Sequence, residues 1–122
     1  MDFQKFKAIF DGLQAAYGYF RIEKTAANGK NTGKAGILRQ PRTDGLWEAH
    51  LKGTGQGLGI IPINENNQCK WGCIDIDEYP LDHKLLIEKI RRMKLPLVVC
   101  RSKSGGAHCF LFSSEWVDAK DL

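Results

Sequence analysis

The run Cys-Ile-Asp-Ile-Asp-Glu-Tyr at residues 73–79 constrains the fold more than any other stretch of this chain. Asp75 and Asp77 stand one residue apart inside an otherwise apolar segment. Ionised in a dry core, each would cost several kcal/mol, on the order of the whole stability of a small domain. A strand carrying both must keep them within reach of water or of positive charge. Side chains alternate along a strand, so the two acids share one face and Ile74 and Ile76 share the other.

The segments downstream of that run set the sheet around it. Residues 69–77 read as a strand, and Pro80 suits the first turn of a helix reaching about residue 94. Leu81, Leu85, Leu86, Ile90 and Met93 fall on its buried side, with Lys and Arg outside. A second strand at 97–101, a Ser-Lys-Ser-Gly-Gly-Ala loop at 102–107 and a third strand at 108–112 complete the series. A strand–helix–strand crossover is right-handed and leaves its two strands parallel, with their C-terminal ends at one edge of the sheet. The third strand returns antiparallel and starts with His108 at that same edge. The expected fold class is therefore α+β with a mixed β-sheet. Asp75, Asp77, His108 and the glycine-rich loop are expected to gather at one rim of its uncovered face.

The first half of the chain carries weaker signals. Phe3, Phe6, Ile9, Phe10, Leu13, Ala16 and Tyr17 recur at helical spacing and predict an amphipathic helix ending near Gly18. Residues 25–36 are small, polar and glycine-rich, and predict a flexible loop bearing Lys30 and Lys34. Thr43 or Asp44 can cap a short helix through Leu51, and 58–63 reads as a short strand ending near Pro62. A last helix is expected from about Glu115. The 122 residues suffice for one domain, with 1–68 as an N-terminal αβ segment and 69–122 as the sheet-bearing core.

Composition excludes little. The formal charge of +4 permits an anionic partner without demanding one. No apolar run approaches the ~18 residues of a membrane span, and the N-terminus lacks the apolar block of a signal peptide, so a cytoplasmic location is expected. Cys69, Cys73, Cys100 and Cys109, even with His83 or His108, lack the paired short spacings of zinc sites, so no zinc is expected. No P-loop spacing is present.

Two carboxylates about 7 Å apart along a strand offer the hard oxygen ligands that Mg²⁺ or Mn²⁺ prefers. Such ions stabilise both oxygens of an in-line displacement in nucleotidyl transfer. The neighbouring loop supplies the complement for phosphate: Arg101, Lys103, Ser104, glycine N–H groups and His108.

These residues carry a family resemblance. Asp75 and Asp77 in IDID, with a downstream SGGAH ending in His108, resemble the archaeo-eukaryotic primase superfamily, the primase–polymerases. The stretches LWEAHLKG, GLGIIPI and CKWGCIDIDEY are similar to the primase domains of phage and mobile-element helicase–primases, including those of TOTE conflict systems. The resemblance runs over about 34–112. It implies an RRM-like, palm-like β-α-β-β core and a primase or template-dependent polymerase activity. Asp75 and Asp77 would hold Mg²⁺ or Mn²⁺, with His108 as the third member of the catalytic set. Arg101, Lys103, Ser104 and His108 would hold nucleotide phosphates, and Lys30 and Lys34 would touch nucleic acid. The implied partners are a nucleoside triphosphate, single-stranded or primer–template nucleic acid, and a helicase domain of a larger protein.

The sequence departs from the family pattern in places. Gly106 occupies the small position before His108, leaving a hydroxyl role to Ser104. A third acid is expected on a later strand, yet Asp118 and Asp121 fall in the anticipated last helix, and the core lacks a further helix and strand. A partial catalytic core is therefore expected, one that binds metal and nucleotide but polymerises poorly by itself. Two competing readings are a non-catalytic nucleotide- or nucleic-acid-binding remnant and a mobile-element interaction protein built on the same fold.

Overall fold

The computed structural model describes residues 2–122. Helix α1 (Phe3–Ile9) is capped by Asp2, whose carboxylate accepts the Gln4 N–H at 3.0 Å. It ends well before Gly18. The apolar spacing beyond Phe10 serves other ends, because Leu13 donates its N–H to the Ile61 carbonyl at 2.8 Å and Tyr17 opens a strand.

That strand, β1 (Tyr17–Thr25), pairs antiparallel with β2 (Asn31–Leu38), so the second half of the expected 25–36 loop is a hairpin strand. Asn-Gly at the turn is the signal for it, with Gly29 at φ 81°. The second strand escaped the hydrophobic pattern because Asn-Thr-Gly-Lys-Ala-Gly is held by its backbone ladder rather than by apolar side chains. Helix α2 (Asp44–Lys52) follows Thr43 and stops at Gly53, burying Trp47 to 2% exposure. Strand β3 (Gly57–Gly59) pairs with Gly18–Phe20 of β1 and is shorter than the predicted 58–63 strand. The chain then leaves the ladder, and the Ile61 carbonyl turns to Leu13 instead. The first sheet has the order β2-β1-β3.

The second sheet holds β4 (Gln68–Ile76), β5 (Val98–Arg101) and β6 (Ala107–Asp118) in the order β4-β6-β5. Strand β6 lies between the others and is antiparallel to both, so β4 and β5 run parallel to one another without pairing. Helix α3 (His83–Arg92) makes the crossover. It begins after Pro80, where the Asp82 carboxylate accepts the Leu85 N–H at 3.0 Å. The predicted last helix is absent: β6 continues to Asp118, because Val117 and Asp118 pair with Cys69 and Gln68. Residues 113–116 bulge outward opposite Lys70, whose ammonium sits 5.7 Å from the Trp116 ring centre. A 3-10 turn (Ala119–Asp121) ends the chain.

The ladder sorts the second sheet into two faces. Trp71, Cys73 and Asp75 share one with Phe112, Phe110 and His108, and with Val98 and Cys100. Ile74 and Ile76 share the other with Cys109, Ala107, Val99 and Arg101. The acid-bearing face is not uncovered throughout. Phe10 places its ring 5.4 Å from Trp71, 5.5 Å from Phe110 and 5.4 Å from Phe112, all edge-on, and closes the end of the face away from Asp75. Each such pair adds about 0.5–1.5 kcal/mol beyond the area it buries. The Trp71 indole N–H also donates to the Asp11 carbonyl at 2.9 Å, fixing the α1 end to the sheet.

Candidate active site

Asp75 and His108 face one another across the β4–β6 ladder, and Cys100 of β5 occupies the same rung on the far side of His108. The His108 Nε2 lies 3.5 Å from Asp75 Oδ1. Their side chains are 44% and 58% exposed, so water screens the acid and no burial penalty arises. Asp75 and, just past the strand end, Asp77 both stay exposed at this end of the sheet.

Asp77 lies just past the end of β4 and is exposed. Its Oδ1 accepts the Tyr79 hydroxyl at 3.1 Å, and that hydroxyl also lies 2.8 Å from Ser104 Oγ. Tyr79 therefore joins the second acid to the Ser-Gly-Gly loop. The loop itself is a tight turn. Ser102 N–H donates to the Gly106 carbonyl at 3.0 Å, Gly105 N–H donates to the Ser102 carbonyl at 3.1 Å, and Gly105 takes φ 100°. Gly106 has no room for a side chain, since a Cβ would come 2.2 Å from the Ile76 carbonyl oxygen. His83, the first residue of α3, holds the same Gly106 carbonyl through Nε2 at 2.8 Å. The loop is thus anchored to β4 and α3 just before it delivers His108.

The other expected site residues divide. Ser104 and Lys103 are exposed on the loop, and both line a groove of about 550 Å³ whose opposite wall is Asn28, Gly29, Lys30 and Asn31 at the hairpin tip. Lys30, 73 residues away in sequence, is thereby brought opposite Lys103. Lys34 lies further down β2, opposite Arg21. Arg101 pairs with Ala107 and so leaves the sheet on the face away from Asp75 and His108. Asp118 does lie on a strand, but it pairs with Gln68 at the start of β4, about 20 Å or more along that strand from Asp75. Asp121 lies in the terminal turn. Sequence reasoning missed Tyr79, His83 and Ser102. Only Tyr79 had a signal, as a hydroxyl two residues beyond the second acid.

No cluster of three or more His, Cys, Asp or Glu side chains among the described residues is arranged to hold a metal. Two exposed carboxylates still fit Mg²⁺ or Mn²⁺, which bind through one or two carboxylates and complete their shells with water and substrate phosphate. All four cysteines are free, with Cys69 and Cys109 buried. Burial pushes the Cys109 thiol above its ordinary range, and Cys100 adds to the effect.

The model of one sequence family, described as "TOTE conflict system, Archaeo-Eukaryotic Primase domain", matches residues 14–122. The chain belongs to this family. The matched span takes in the hairpin, α2 and both sheets, beyond the 34–112 stretch in which the sequence resemblance lay. No curated protein matches the chain. An archaeo-eukaryotic primase domain implies nucleotide and nucleic-acid binding in general, and the superfamily generally uses divalent metals. No helix of the described residues is long and apolar enough to cross a membrane.

Proposed function

We propose that this primase domain binds a nucleoside triphosphate at the Asp75–His108 rim and belongs to the metal-dependent nucleotidyltransferases. One observation carries the reading: the acid and the imidazole meet on one rung, beside a glycine turn tied to the second acid through Tyr79. Bound Mg²⁺ or Mn²⁺ would neutralise triphosphate charge and activate the attacking hydroxyl. Asp75 and Asp77 would hold it. His108 donates a hydrogen bond to a phosphate oxygen, Ser104 and the loop amides add further donors, and Lys103 contributes positive charge at the rim, whereas Arg101, on the other face, takes no part. The shared rung would let Asp75 serve the metal while His108 serves phosphate.

The two-acid set favours binding over turnover, so the chain by itself retains nucleotide and metal affinity while extending a primer weakly or not at all. In the cell it would act in the cytoplasm beside a helicase domain of a phage or mobile-element replication protein.

Calorimetric titration of ATP with and without Mn²⁺, on the native chain and on the Asp75→Ala/Asp77→Ala variant, tests the reading. Native binding should require Mn²⁺, and the double variant should show none. Metal-independent binding that survives both substitutions would remove these acids from the site.

A further inference from the structure

The hydroxyls behind Asp77 form a chain whose direction is fixed. Tyr79 donates its O–H to Asp77 Oδ1 at 3.1 Å, and the same oxygen lies 2.8 Å from Ser104 Oγ. A phenol carries one proton. Because that proton is given to the carboxylate, the serine must be the donor at the second contact and Tyr79 the acceptor. Ser104 Oγ also lies 3.5 Å from Ser102 Oγ, where it can then only accept. The protons run from the loop toward the acid, from Ser104 to Tyr79 to Asp77.

This direction sets a condition on the site. Ser104 is exposed and lines the groove beside Lys103. An anionic phosphate oxygen only accepts, so it needs from Ser104 the very proton that Ser104 gives to Tyr79. An anion entering the groove in this state meets serine lone pairs instead of a donor. The chain can reverse without any movement of the backbone, because rotation about one C–O bond in each residue is enough. With Asp77 Oδ1 engaged by a cation, Tyr79 loses its better acceptor and donates to Ser104 Oγ, and the Ser104 proton turns outward. Tyr79, exposed at the rim, has room for this rotation.

We infer that Tyr79 is a positioning residue that couples the two halves of the site. With Asp77 free it holds Ser104 as an acceptor, and with Asp77 occupied it makes Ser104 a phosphate donor. Coupling of this kind is reciprocal, so an anion held by Ser104 favours a cation on Asp77 by the same factor. The cation at Asp77 rests on the nucleotide reading of this rim. The direction of the hydroxyl chain stands without it.

Two measurements test the switch without relying on activity. In the first, inorganic pyrophosphate is titrated in EDTA against the native chain, Tyr79→Phe, Ser104→Ala and the double variant. Tyr79→Phe releases the Ser104 proton and should bind about 10-fold more tightly than the native chain, the worth of one hydrogen bond to a charged group at an exposed site. Ser104→Ala should match the native chain, because that proton was already committed, and the double variant should lose the gain. A looser loop would raise affinity in Ser104→Ala as well, and that result would overturn the inference, as would Tyr79→Phe binding no more tightly than the native chain. In the second, the chain carries carbon-13 at tyrosine Cζ and is titrated with diamagnetic Mg²⁺ in the absence of nucleotide. The Tyr79 resonance, identified by its loss in Tyr79→Phe, should shift as its acceptor changes, and in Asp77→Ala it should stay still. A Tyr79 resonance that stays still in the native chain, while ATP binds with Mn²⁺, overturns the switch and leaves the nucleotide reading standing. Both expected results, with no ATP binding, support the switch and refute that reading.

Discussion

His108 Nε2 stands 3.5 Å from Asp75 Oδ1 because the two residues occupy one rung of the β4–β6 ladder. Backbone register, rather than the reach of long side chains, sets this approach. The register keeps the acid and the imidazole adjacent on one face even though both side chains are exposed.

His108→Ala should weaken Mn²⁺-dependent ATP binding by about 10- to 100-fold, the worth of one hydrogen bond to a charged group. Mn²⁺ affinity measured without nucleotide should not change, because the acids remain. Calorimetry separates the two, and an unchanged ATP affinity would take His108 out of the phosphate site.

Tyr79→Phe removes the hydroxyl that lies between Asp77 and Ser104 and leaves the ring. Amide hydrogen exchange should quicken at Gly105, whose N–H closes the loop, while the melting temperature barely moves because the site is exposed. Gly106→Ala should be much harsher, costing about 1–3 kcal/mol, since the new methyl group meets the Ile76 carbonyl. Exchange data showing the loop equally protected in Tyr79→Phe would mean the bridge does not restrain it.

Arg42 is the one buried charged residue among those described, with its side chain 1% exposed. Its Nη2 donates to Asp11 Oδ1 and, at 3.3 Å, to the Gly12 carbonyl, and its guanidinium lies 5.6 Å from the Trp47 ring centre. Arg42→Met should cost about 3 kcal/mol in urea denaturation, because it strands a half-buried carboxylate. Adding Asp11→Ala should recover part of that loss. A double variant as unstable as the sum of the single ones would show that the pairing itself contributes nothing.

Cys109 gives the chain an alkaline weakness. Burial raises its thiol above the ordinary value of 9.0, so the folded chain holds this proton more tightly than the unfolded one. Its contribution is complete below pH 9.0 and is lost as pH climbs through the raised value. The melting temperature should therefore fall with rising pH in that window. Cys109→Ala should lower stability at neutral pH through the cavity it leaves, yet show a flatter alkaline decline. Identical declines would assign the alkaline loss to other groups.

Much of the rim was legible in advance. Alternation put Asp75 on the face that His108 shares, while Asp77 falls just past the end of β4, and crossover handedness brought the ends of β4 and β5 and the start of β6 to one edge. Both are local rules of chirality and period. The hairpin was hidden because β2 draws its stability from ladder hydrogen bonds, which leave no hydrophobic trace. The last strand was hidden because residues 113–116 bulge and break the alternation that would reveal it.

The order of residues alone determined which groups could share a face and which strand ends could meet, since both depend only on the geometry of a single chain segment. Tertiary structure decided the rest. It placed β6 between β4 and β5, turned Arg101 away from His108, closed Phe10 over the aromatic end of the sheet, and set Lys30 across from Lys103. Each depends on the pairing and packing of segments distant in sequence, whose competing arrangements differ by small sums of many weak contacts that no short stretch encodes.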